Sequence, residues 1–132
     1  MSKMAIESVQ SLEIWGRMLE VKVIFDCFPE EEISAAQIAA YDDFIKNPEG
    51  YLGIALSEAE NYCCEHSNGQ VTPPVTNIFK YVMPHLIYIK RSRNDKKLFS
   101  LVCKYKFDME NGLAVNFEDG KLKSTGPEQT AL

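Results

Sequence analysis

The sequence predicts an α+β domain: a largely antiparallel sheet, formed by an N-terminal hairpin and a C-terminal meander, with two or three helices packed on one face. Three observations carry this. Apolar and polar residues alternate through 19–25, the period of a strand with one buried face. Ile38, Tyr41, Phe44 and Ile45 recur at the helical period, and Asp119-Gly120 stands between two short runs as a two-residue hairpin turn. With 132 residues, 45% of them hydrophobic and 11% aromatic, the chain fits a single domain, 1–132, able to bury its own core.

The elements follow in order. Within "SLEIWGRMLEVKVIFDCF" (11–28), Leu12, Ile14 and Trp15 make a first strand and Gly16-Arg17 supplies a turn or bulge. Leu19, Val21, Val23 and Phe25 then mark the buried face of a second strand, alternating with Glu20, Lys22 and Ile24. "PEEEIS" breaks the pattern. Ser34 and Gln37 have the spacing of a capping box, which satisfies first-turn amides and predicts a helix from about 35 to 46. Asn47-Pro48 ends it and places proline in the first turn of a second helix, where Leu52, Leu56, Ala59 and Tyr62 or Cys63 keep the rhythm. "HSNGQVTPP" reads as loop. "VTNIFKYVMP" fits a short third helix, because Val75, Ile78, Phe79 and Val82 share a face; a strand there is limited by Pro84. "HLIYIKR" (85–91) and "KKLFSLVCKYKF" (96–107) are strands around the polar turn 92–95, and "GLAVNFE" and "KLKS" complete the meander.

Composition narrows the chemistry. No run approaches the roughly 20 apolar residues of a membrane span, and the start "MSKMAIE" lacks the apolar stretch of a secretory signal, so the expected address is the cytoplasm, away from membranes. Cys27, Cys63, Cys64 and Cys103 include no C-x2-C pair; they read as reduced thiols, with Cys27 and Cys103 in apolar strands. Cys63-x2-His66 is an incomplete ligand set, and His85 follows a proline at the start of a strand. No phosphate loop, dinucleotide fingerprint or G-x-S-x-G occurs. No cofactor and no metal are expected.

Charge is unevenly spread. Residues 1–79 hold 13 acids and 4 bases, residues 80–106 hold 8 bases and Asp95, and the whole chain carries −5. Two candidate contact surfaces emerge: an acidic one with Glu30, Glu31, Glu32, Asp42 and Asp43, and a basic hairpin tip with Arg91 and Arg93. The basic tip invites a nucleic-acid reading, but a body of pI ≈ 5.0 repels phosphates, so nucleic acid is not expected as a partner.

"FDMENGL" (107–113) holds the remaining candidates. Asp108 and Glu110, two apart on a strand, would share a face and could bind a divalent ion or run acid–base chemistry. Alternatively Asp108 bonds backbone amides in an Asx-type turn, and Asn111-Gly112 supplies left-handed angles. The second reading is preferred: Asp108, Glu110, Asn111 and Gly112 form a structural motif, with no catalytic residue among them.

The progression "MPHLIYIKR…KLFSLVCKYKFDMENGLAVNFEDGKLKSTGPEQTAL", with the helical pair "EISAAQIAAYDDFIKNPEGYLGIALSEAENYC" before it, resembles a family of small bacterial α+β domains over roughly residues 30–132. Phe107, Asp108, Glu110, Asn111, Gly112, Leu113, Val115, Phe117, Gly120 and Gly126 match its pattern. Asn111 stands where many relatives carry histidine, so no role that needs an imidazole carries over. The resemblance implies an immunity protein from a toxin–immunity cluster, one form being a contact-dependent growth inhibition system. The expected function is stoichiometric occlusion of a cognate toxin domain, a basic nuclease being one such partner, without catalysis. The alternative is a small-ligand or metal-binding domain, or an enzyme, centred on Asp108 and Glu110.

Overall fold

A computed structural model describes residues 6–132 apart from Pro29 and Arg93. Six strands form one sheet in the order of the chain: β1 (Glu7–Ile14), β2 (Arg17–Phe25), β3 (Val82–Ile89), β4 (Leu98–Tyr105), β5 (Leu113–Glu118) and β6 (Lys121–Gly126). Every neighbouring pair is antiparallel except β2 and β3, which run parallel from Lys22↔Leu86 to Phe25↔Ile89. A parallel return needs a long crossover, and helices α1 (Ala35–Lys46) and α2 (Pro48–His66) provide it, both packed on one face of the sheet.

The helix starts follow the predicted chemistry. Ser34 Oγ accepts from the Gln37 N–H at 3.2 Å, and Gln37 Oε1 accepts from the Ser34 N–H at 2.9 Å, a complete capping box. Asn47 Oδ1 then caps α2, whose first residue is Pro48. Gln37 does more than cap. Its buried Nε2 donates to the carbonyls of Asp26 (2.9 Å) and Ile89 (3.1 Å), so one side chain clips α1 to the ends of β2 and β3.

The core lies between helices and sheet. Val21, Val23 and Phe25 are buried, as their alternation requires, and Phe44, Tyr51, Phe99 and Phe117 form its aromatic centre. Phe99 and Phe117 lie opposite each other on β4 and β5 with rings stacked at 5.0 Å, while Tyr51 meets both edge-on at 5.0 and 5.2 Å. Such pairs add about 0.5–1.5 kcal/mol each beyond area burial. On the opposite face of the sheet a smaller cluster, Val102, Ala114 and Ala131, is closed by the C-terminal 3-10 turn Glu128–Ala131.

Several expectations are corrected. β1 runs from Glu7 rather than Leu12, because its inward positions include the polar Ser8 and Gln10, which hide the hydrophobic period. The turn falls on Trp15-Gly16, not Gly16-Arg17. The expected third helix is one 3-10 turn, Ile78–Lys80, after which β3 starts at Val82 and carries Pro84 within it. A bulge between Pro84 and Leu86 absorbs the proline's missing donor. Cys27 lies just beyond β2 rather than in it, and α2 continues through His66, where a loop is expected.

Candidate functional site

The acidic segment and the basic hairpin tip, distant in sequence, meet in space. The Arg91 guanidinium pairs with Glu31 and lies 4.1 Å from the centre of the Phe28 ring. Lys97 Nζ donates to Asp43 Oδ2 at 2.5 Å, a bond that raises the lysine's pKa. Lys96 pairs with Glu118 at 3.5 Å, and Lys90 donates to the Leu132 carbonyl at 2.8 Å. The two expected surfaces are therefore one seam, joining the end of β3 and the β3–β4 loop to α1 and the segment before it. Arg93 lies outside the described residues. Glu30 is exposed with φ 69°, Glu32 is exposed, and Asp42 is exposed on α1.

Around that seam α1 leaves apolar surface uncovered. Ile38 and Ile45, two turns apart, are 37% and 44% exposed, and Asp42 lies between them on the same flank. Phe28 is 60% exposed even with Arg91 against it.

The "DMENG" motif is a corner. It lies in the turn between β4 and β5, not on a strand, so the two carboxylates do not share a strand face as the spacing implied. Asp108 Oδ1 accepts from the Asn111 N–H at 3.2 Å, and the Asn111 amide donates to both carboxylate oxygens at 3.1 and 2.9 Å. Glu110 is exposed and makes no hydrogen bond or ion pair among the described residues. The left-handed residue is Gly112 (φ 62°), not Asn111; a Cβ there would sit 2.9 Å from the Cys103 carbonyl oxygen. The Glu128 N–H donates to the Asn111 carbonyl at 2.7 Å and anchors the tail to this corner.

The thiols are placed for packing. The four cysteines are free. Burial pushes the Cys63 thiol up to about 11 and the fully buried Cys103 higher still, so neither offers much thiolate at neutral pH. His66 packs against Tyr62, ring centres 4.2 Å apart and tilted, in the last turn of α2. Among the described residues no group of three or more His, Cys, Asp or Glu could hold a metal ion, and no helix is long and apolar enough to cross a membrane.

A buried polar network crosses the C-terminal meander at Asn116. Asn116 accepts from Ser100 Oγ at 2.5 Å and donates to Ser124 Oγ (3.0 Å) and Thr130 Oγ1 (2.9 Å), linking β4, β5, β6 and the C-terminal turn. Its place in an otherwise apolar run, "LAVNFE", was the available signal.

A family model described as a domain of unknown function, DUF6985, matches residues 4–132. No curated protein and no solved structure matches the chain.

Proposed function

We propose, for a chain that belongs to the DUF6985 family, a role as an immunity protein that binds a cognate bacterial toxin domain and occludes it without catalysis. The observation that carries this reading is the flank of α1, where exposed Ile38 and Ile45 bracket Asp42. Aliphatic anchors beside an acid suit a protein partner: burial of the anchors supplies affinity, and the acid steers a basic surface into place. The neighbouring acids Glu30 and Glu31 extend the same sign of charge, as a basic nuclease partner would require. Glu31 and Asp43 contribute less freely, since each is tied to a cation of its own chain. The compartment is the cytoplasm, where such a partner would arrive.

The test is co-expression with a candidate toxin domain encoded by a neighbouring gene. A stoichiometric complex and restored growth are expected, and Asp42→Arg or Ile38→Glu should weaken binding about tenfold or more by placing like charge or a desolvated carboxylate in the contact. Unchanged affinity in both variants would remove α1 as the contact. Protection of the cell without any complex would overturn occlusion.

A further inference from the structure

A second surface, on the β1 side of the sheet, has the chemistry of a binding site for a cationic extended segment. β1 is an edge strand with continuous register from Glu7↔Ile24 to Ile14↔Arg17 and no bulge. The Phe25 N–H donates to the Ile6 carbonyl, so the even-numbered residues of β1 direct their backbone groups to β2. By the antiparallel alternation, Glu7, Val9, Ser11 and Glu13 direct theirs outward, and no further strand pairs with them among the described residues. β6, at the other edge, carries Lys121 and Lys123, the residues that discourage strand addition, whereas β1 has neither lysine nor proline.

The C-terminal end of this edge opens into a cleft of about 440 Å³ between the β1–β2 turn and the start of α2. Its walls are Leu12, Trp15, Pro48, Leu52 and Leu56, and Glu13 and Glu49 also line it. Glu13 stands between Leu12 and Ile14, which both face the helices, so by strand alternation its carboxylate lies on the opposite face of the sheet; Glu49 is the acid at the cleft, and it has no cation partner among the described residues. Trp15 is fixed as one wall, its Nε1 donating to the Leu52 carbonyl at 2.8 Å. The floor is kept open by glycine: a Cβ on Gly53, inside α2, or on Gly16 would meet nothing within 4 Å. Glycine in a helix interior is unfavourable relative to alanine, so its presence against the cleft marks room retained rather than room required by packing.

We infer that this edge and cleft bind an extended segment of a partner protein, which adds a strand beside β1 and places one arginine or lysine in the cleft. The aliphatic stem lies against Leu12 and Leu52, the cationic head meets the Trp15 face and the Glu49 carboxylate, and main-chain bonds to Val9, Ser11 and Glu13 set the direction. Charge favours this occupant over a second copy of the chain, because antiparallel self-pairing centred on Gln10 would set Glu7 opposite Glu13 at both ends. The inference concerns a different surface from the Asp42 flank and stands without the toxin reading.

Trp15 is the only tryptophan, so its emission reports on the cleft directly. The probe is an end-blocked seven-residue peptide of alternating threonine and valine with a central arginine, titrated into the full chain at low salt. A saturable change in emission is expected, at least tenfold weaker when citrulline replaces arginine and in the Glu49→Gln variant. Gly53→Leu, checked for an unchanged far-ultraviolet spectrum, should abolish it; if that variant does not fold, the exposed Glu49 still decides. Ser11→Pro, which removes an outward N–H only, should weaken binding by severalfold. Absence of saturation, or equal binding of the citrulline peptide, overturns the cation site. Equal binding by Ser11→Pro overturns strand addition. A dimer in sedimentation that Ser11→Pro dissolves would assign the edge to a second copy and overturn the proposal.

Discussion

The sheet's two tight hairpins follow nearly the same backbone path with opposite materials. Asp119 and Gly120 turn β5 into β6 at φ 50° and 83°; Trp15 and Gly16 turn β1 into β2 at 53° and 85°. Aspartate suits that geometry locally, because its short polar side chain tolerates the left-handed region. Its Oδ1 also accepts from the Lys97 N–H at 2.9 Å, while its own N–H donates to the Lys97 carbonyl at 2.8 Å. Tryptophan does not suit it, and a bulky residue held there costs on the order of 1–3 kcal/mol. What holds Trp15 is remote: the Leu52 carbonyl on α2, and the Phe79 ring at 5.8 Å, which Arg17 also covers at 4.3 Å. One turn is specified by its own residues. The other is specified by the helix and the 3-10 turn against which it closes.

Substitutions can break that contrast. Trp15→Ala removes the anchor and should lower unfolding free energy by about 3 kcal/mol in urea titration. Trp15→Asn removes the same packing but supplies a residue suited to the turn, so its loss should be smaller by about 1 kcal/mol. If the two variants are equally stable, the strain argument fails. Gly112→Ala, at the left-handed corner between β4 and β5, should cost about 2 kcal/mol, because it combines a positive φ with the close Cys103 carbonyl. Gly16→Ala and Gly120→Ala should cost about 1 kcal/mol each and match closely, since neither Cβ meets a tight contact. The smallest effect has the opposite sign: Gly53→Ala should raise stability by about 0.5–1 kcal/mol. A destabilised Gly53→Ala would mean that the cleft's open floor serves packing after all.

Legibility in the sequence tracked how local each determinant is. The capping box at Ser34 and Gln37, the proline at the start of α2 and the Asp119-Gly120 turn are settled by neighbours within four residues, and each was readable. The parallel pairing of β2 with β3 was not, since it depends on where two helices deliver the chain 57 residues after Phe25, at Val82. The candidate surfaces failed in the same way. Glu31, Asp43, Arg91 and Lys97 were visible as charges, but their mutual pairing needs the fold. Trp15 could be read only as the end of a strand, because nothing near it in sequence announces Leu52 or Phe79 as its partners. For the "DMENG" corner the turn chemistry is local, and of the Asn111-Gly112 pair expected to supply left-handed angles only Gly112 has a positive φ.

Gln37 has a mechanical consequence. The parallel seam is where the first two strands meet the last four, and its far end is held by the Asp26 N–H on the Ile89 carbonyl and by the Gln37 amide, which also starts α1. Tension that draws β2 from β3 at that end therefore loads the Gln37 side chain, and through it the first turn of the helix. The seam and the helix start share a fastening, so strain at one is felt at the other.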